Sequence, residues 1–289
     1  AVPTPFDAND EPDFDLFLEH CNWAIDSGCD GLNVLGSTGE ANSQSLTARS
    51  KIMRAVAESS LDRAALMVGT GTPSLEETVE LTRLAAKLGF DAALILPPYY
   101  YAPVSYDGLF EFFSRVIGAI DKTDIGIYLY NFPQTTGLTF SSELVERLLS
   151  AFPNHVRGMK DSSGDMVYTD GIAATFAGSF DVFPGSEAPL PDTPEKGYAG
   201  CISASVNATA VLAAKVWQTR DNVAEQDANE LREARTAIQS VPIAAAAKML
   251  TARRTGRVEW RRMLPPLTPL SEEQEESLLG VAQRLGFSN

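Results

Sequence analysis

Short apolar runs alternate with amphipathic stretches from one end of the chain to the other. Runs rich in branched and aromatic residues, bounded by Gly, Pro, Asp or Ser, predict strands at 31–35, 65–69, 92–96, 125–130, 156–160, 181–183 and 200–203, with 2–4 as an eighth. Between them, apolar residues recur at three- and four-residue spacing. That period predicts helices at 13–26, 47–59, 75–87, 106–120, 141–151 and 166–177, and a further one at 190–198 that carries Pro191 and Pro194. Ser74 stands three residues before Glu77, the spacing of a capping box, and Ser141 precedes Glu143 in the same sense.

Strand–helix alternation repeated about eight times implies a parallel sheet, and eight such units favour closure into a (β/α)8 TIM barrel over an open doubly wound sheet. Beyond Ser203 the pattern turns wholly helical, at 208–219, 223–240, 243–254 and 271–285. The expected organisation is a catalytic barrel over residues 1–206 with additional C-terminal helices, 207–289, packed on it. A barrel of this kind carries its active site on the loops that follow the strands.

Composition narrows the function. The 289 residues are 44% hydrophobic and 21% charged, enough for one large core. A net charge of −15 argues against nucleic acid and against an anionic membrane surface as partners. A small anionic substrate remains compatible, because a few local N–H groups outweigh a distant net field. Three cysteines, Cys21, Cys29 and Cys201, without a CxxC pair, argue against a disulfide framework or a zinc site and fit a reducing cytoplasm. No apolar run approaches the roughly 18 residues of a membrane span, and no basic-then-apolar leader opens the chain. The chain starts Ala1-Val2-Pro3-Thr4-Pro5-Phe6 without a methionine, so a few residues are expected to precede it.

Candidate chemistry gathers at the predicted strand ends. Lys160 closes the strand at 156–160 and precedes a glycine turn; an unprotonated amine there can attack a ketone carbon and form a Schiff base. Tyr130 closes the strand at 125–130. Neighbouring strands lie roughly 4.8 Å apart, so Tyr130 can reach the same point and relay protons. Gly36-Ser37-Thr38-Gly39-Glu40 follows the strand at 31–35 and can offer successive N–H groups and hydroxyls to a carboxylate. Gly69-Thr70-Gly71-Thr72 lacks the third glycine of a dinucleotide fingerprint and the Gly-Lys pair of a phosphate loop, and reads as close backbone packing. Tyr99-Tyr100-Tyr101 cannot all face inward, which leaves aromatic side chains for the rim or a subunit interface. His20 and His155 lie far apart without metal-ligand spacing; Glu40 with Asp161 is the one carboxylate pair that could hold Mg²⁺ in a metal-dependent aldolase. Asn207-Ala208-Thr209 matches a glycosylation triplet and reads as incidental.

In order along the chain, Pro3-Thr4-Pro5-Phe6, the 36–40 loop, Pro98-Tyr99-Tyr100, Tyr130-Asn131-Phe132-Pro133, Gly158-Met159-Lys160-Asp161, Gly185-Ser186 and Gly200-Cys201-Ile202-Ser203 resemble the dihydrodipicolinate synthase / N-acetylneuraminate lyase family. The resemblance spans nearly the whole chain. It implies a class I aldolase barrel that needs no metal or organic cofactor, acts on pyruvate or a related 2-keto acid and an aldehyde through a covalent Schiff base on Lys160, and assembles as a homotetramer of tight dimers. It further implies that Tyr130 relays protons, that Gly36, Ser37 and Thr38 bind the carboxylate, and that Gly185 and Ile202 contact the keto acid through the backbone. Tyr100 then resembles the tyrosine lent across the dimer interface.

One departure bears on the substrate. Synthases of the family carry an arginine shortly after the Tyr-Asn-x-Pro motif, where this chain reads Gln134-Thr135-Thr136. Losing that arginine removes a bidentate carboxylate clamp and disfavours 4-hydroxy-tetrahydrodipicolinate synthesis. Lys160 is followed by Asp161-Ser162-Ser163, which also departs from the sialic-acid lyase pattern. A 2-keto-3-deoxy sugar acid aldolase or dehydratase fits better. The readings from other classes are a metal-dependent aldolase and a keto-acid-binding barrel without turnover.

Overall fold

The computed structural model describes residues 1–287. Six parallel strands form one sheet in chain order: β1 (Leu32–Val34), β2 (Leu66–Gly69), β3 (Ala92–Ile95), β4 (Gly126–Asn131), β5 (Val156–Asp161) and β6 (Asp181–Pro184). Helices cross between them: α1 (Phe14–Asp26), α2 (Leu46–Glu58), α3 (Leu75–Leu88), α4 (Tyr106–Gly118), the short α5 (Pro133–Thr136), α6 (Ser142–Ala151), α7 (Met166–Thr175) and the short α8 (Thr193–Lys196). Four more follow: α9 (Val206–Gln218), α10 (Glu225–Gln239), α11 (Ile243–Thr255) and α12 (Glu272–Arg284).

Seven of the helix starts have a side-chain cap. Asp13, Ser45, Ser74, Ser105, Ser141, Asp165 and Ser271 each accept a hydrogen bond from a first-turn N–H. This satisfies donors that the helix itself cannot. The reciprocal capping-box bond forms at Ser271 with Gln274. The stretch at 190–198 does not form one helix. Pro191 and Pro194 lack the N–H that continuation requires, so it breaks into a 3-10 turn at Leu190–Asp192 and the one-turn α8.

Two expected strands, 200–203 and 2–4, do not form ladders. Pro3 and Pro5 have no N–H to donate, and Gly200 sits at φ 139. Isolated bonds replace the ladder. Ala199 N–H donates to Val182 O and Ile202 N–H to Pro184 O, both at 3.0 Å, and Val2 N–H donates to Asn33 O at 3.1 Å. These links carry the chain round from β6 to β1, so the sheet curls upon itself in the manner of a TIM barrel.

Along every strand the period of two divides the side chains. Ile127, Leu129 and Met159 face the helices in the main core, while Leu94, Tyr128 and Tyr130 pack inside the curl with Met67 and Phe183. A second apolar core, with Ile238, Met249, Leu250 and Leu278, holds the last helices together. No described helix is long and apolar enough to cross a membrane.

Candidate active site

Lys160 and Tyr130 are register partners on adjacent strands β5 and β4, one rung from the carboxyl end. Both face the inside of the curl, and each keeps only 4% of its surface exposed. The Lys160 Nζ donates to Tyr130 Oη at 3.3 Å, and lies 4.4 Å from the centre of the same ring. Ser37 Oγ lies 3.3 Å from the same phenol oxygen. A lysine, a tyrosine and a serine are thus strung in one line.

Electrostatics bias that line. Burial alone would raise the Tyr130 phenol. The Lys160 charge opposes it, together with hydrogen bonding from Ser37, Ser162 and Lys160, and the phenol is held below its ordinary range. Ser162 was not singled out from the sequence. It fills the space beside Gly185, where an added Cβ would stand 2.4 Å from its hydroxyl. Two residues after a strand-end lysine, period-two geometry returns the side chain to the inner face, a signal that could have found it.

The 36–40 loop starts from an unusual backbone. Leu35 and Glu40 adopt left-handed φ of 55 and 56, which folds Ser37–Gly39 into a 3-10 turn beside the curl. The bonds of the turn begin at Gly39 N–H, so those of Ser37 and Thr38 are not consumed by it. Thr38 is buried and Ser37 exposed. Thr4 Oγ1 and Gln44 Nε2 hold the loop through Gly39 O, at 2.9 and 2.7 Å. Gly69 lies so close beneath that a Cβ would meet Leu35 O at 2.1 Å, which makes the Gly69–Thr72 stretch a packing element.

Gly185 and Ile202 reach the same face. Gly185 N–H donates to Asp161 O, and Ile202 N–H to Pro184 O, so in each case the carbonyl is what remains for a ligand. Gly185 O already receives a long 3.4 Å bond from Arg235, whose guanidinium also bonds Ser203 and Ser205 and lies 3.7 Å from the buried Glu187 carboxylate.

Within a single chain Tyr100 stands apart from the cluster; it is 77% exposed and packs edge-on against Tyr101, while Tyr99 turns inward. Glu40 and Asp161 do not share a cation site. Glu40 bonds Lys248 and the Leu264 N–H. Asp161 takes four bonds, from Asn131, Thr169 and both the N–H and hydroxyl of Ser163. With their oxygens so engaged, neither carboxylate is a vacant ligand. Asn207 is buried and its amide bonds Ala1 O and Ala204 O, which closes it to a glycan.

A cavity of about 350 Å³ opens at the other end of the sheet, near Cys29, Leu32, Leu66 and Cys201. None of Lys160, Tyr130 and Ser37 lines it, whereas Ile202 does.

Enzymes that work through a lysine amine at the top of a TIM-type sheet, with a phenol to move protons, are class I aldolase-type lyases, and this fold and site define one. The chain belongs to the Dihydrodipicolinate synthetase family, whose profile matches residues 1–284; its members form a lysine Schiff base and use no metal cofactor. It is 32% identical over 296 aligned residues to a 4-hydroxy-tetrahydrodipicolinate synthase of Thermus thermophilus, covering 99% of this chain and 95% of that protein. The crystal structure of YagE from E. coli K12, a prophage protein of the dihydrodipicolinic acid synthase family in complex with pyruvate, superposes with a TM-score of 0.89 at 28% identity, over 99% of this chain and 97% of that one. A dihydrodipicolinate synthase from Agrobacterium tumefaciens str. C58 gives a TM-score of 0.87 at 29% identity, over 99% and 97%.

Proposed function

We propose that the protein catalyses reversible aldol cleavage, or dehydration, of a 2-keto-3-deoxy sugar acid through a Schiff base on Lys160. The observation that carries this reading is the line from Lys160 Nζ through Tyr130 Oη to Ser37 Oγ. The N–H groups of Ser37 and Thr38 hold the substrate carboxylate, with Gly36 giving the chain room to turn. The neutral Lys160 amine attacks C2. Tyr130 passes the amine proton to the carbonyl oxygen and then assists its loss as water, leaving an iminium. That iminium accepts the electron pair of the C3–C4 bond as the C4 hydroxyl gives its proton to Tyr130. The products are an enamine of pyruvate and an aldehyde. Gly185 and Ile202 steady the keto acid through their carbonyls.

Uncharged side chains at Gln134 and Thr135 support a hydroxylated tail in place of a second carboxylate. Gln134 and Thr135 are exposed on α5, where neither offers a cation, and the Gln134 amide is already spent on Ser163 O. A second reading, 4-hydroxy-tetrahydrodipicolinate synthase, draws support from the name of the Thermus relative. Borohydride trapping with pyruvate, followed by mass spectrometry, tests the common step: an adduct is expected on Lys160 and none in Lys160→Ala. Aspartate semialdehyde against a panel of sugar-acid substrates then separates the two readings.

The exposure of Tyr100 supports a homotetramer of tight dimers in which the partner's side chain completes the relay. Light scattering should then give about four times 31.1 kDa. We read residues 1–206 as the catalytic part and 207–289 as a helical brace, and place the enzyme in the cytoplasm, a setting that suits its three free cysteines.

A further inference from the structure

Behind the 36–40 loop two opposite charges meet out of contact with water. Lys248 on α11 donates to Glu40 Oε1 at 2.5 Å, and neither side chain has exposed surface. Leu264 N–H donates to the other carboxylate oxygen at 2.7 Å, and the ammonium rests 4.4 Å from the centre of the Phe6 ring. Partners 208 and 224 residues away in sequence therefore fasten a single side chain.

Stability alone is a poor reason for such a pair. Desolvating two charges consumes much of their mutual attraction, and apolar replacements of similar volume often match or exceed it. The backbone supplies another reason. Glu40 sits at φ 56 and ψ 31, between the 3-10 turns Ser37–Gly39 and Ala41–Ser43. A residue with a Cβ adopts that conformation only when its surroundings impose it. Glu40 N–H also closes the first turn, on Ser37 O at 3.1 Å. Holding the Glu40 side chain thus holds the turn that points the Ser37 and Thr38 N–H groups.

We propose that Lys248 and Glu40 are a positioning pair, through which α11 sets the aim of the Ser37 and Thr38 N–H groups at the substrate carboxylate. Neither residue touches the substrate. The proposal rests on the Ser37 and Thr38 N–H groups being the carboxylate cradle. Its consequence is selectivity: loosening the pair weakens binding of the carboxylate and spares the amine chemistry at Lys160.

The test is borohydride trapping with pyruvate and with pyruvamide, which keeps the ketone and lacks the charge. Wild type is compared with Lys248→Met and with the double variant Glu40→Gln, Lys248→Met. The double variant removes both charges together and leaves none unpaired, with folding followed by circular dichroism. For the folded double variant, the half-saturating pyruvate concentration is expected to rise about tenfold or more while that for pyruvamide moves less than about twofold. Maximal adduct yield should stay unchanged. Equal changes for both ligands, or none, would overturn the proposal, because a merely structural pair moves both alike. Failure of both variants to fold overturns it too, since it assigns the pair to the fold. A wild type that traps no pyruvate instead removes the Schiff-base reading itself.

Discussion

Tyr130 is where opposing residue-level forces are most finely set. Burial penalises its phenolate, yet the Lys160 charge and neighbouring hydroxyls outweigh that penalty. An ultraviolet titration should therefore show one tyrosine ionising below the ordinary range near 10, absent in Tyr130→Phe. Lys160→Met removes the opposing charge and should move that step upward; an unmoved step would mean that Lys160 is not its cause. With the same phenol proposed as the proton carrier, Tyr130→Phe is expected to slow adduct formation by about 100- to 10,000-fold, read by quenched trapping. Lys160 and Tyr130 were legible in the sequence because each ends a recognisable strand, and the Ser37-Thr38 pair because Gly36 and Gly39 bracket it just after one. Ser162, Lys248 and Arg235 were not singled out. Lys248 and Arg235 gain meaning from partners 30 or more residues away, which no local pattern announces.

At the scale of elements, one rung joins catalysis to stability. Asn131 and Asp161 pair across β4 and β5 directly after the Tyr130–Lys160 rung, and Asn131 Nδ2 donates to Asp161 Oδ1 at 2.8 Å. Asp161→Ala would strand several buried donors at once. It should cost about 3 kcal/mol and lower the melting temperature by roughly 6–12 °C, measured by calorimetry. A drop within about 2 °C would mean that water takes over those bonds. The six strands that form were readable because their apolar runs are short and sharply bounded. The two that fail share one cause: proline and glycine remove donors or bend the backbone, which an apolar count does not register. The turn α5 was missed for the opposite reason, since Pro133 at its start and Gly137 at its end are its only signals.

Across the whole molecule, the last helices are locked to the first by a histidine. His20 on α1 lies between Asn207 on α9, at 2.8 Å, and Arg254 on α11, at 2.9 Å, and stacks on Trp23 with its edge to Trp260. Arg254 can only donate, so His20 Nδ1 must accept and the ring must be neutral. Burial, aided by the Arg254 charge, pushes the imidazole down to about 4 against the Asn207 bond. An unfolded histidine takes its proton near 6.5, so the unfolded chain binds more protons between these values. The stabilisation is complete above about 6.5 and lost as pH falls towards 4, on the order of 3 kcal/mol. Urea midpoints of wild type against His20→Gln should converge across that window, and a constant difference would exclude His20 as the cause.

In the proposed reaction the covalent step falls on the Tyr130–Lys160 strand rung, whereas the substrate's far end is assigned to the single turn of α5. The two can therefore change independently. Exchanging residues 133–136 for turns of equal length should yield a set of enzymes that all capture pyruvate alike and differ in the aldehyde they join to it, so that new specificities become reachable without rebuilding the reactive centre.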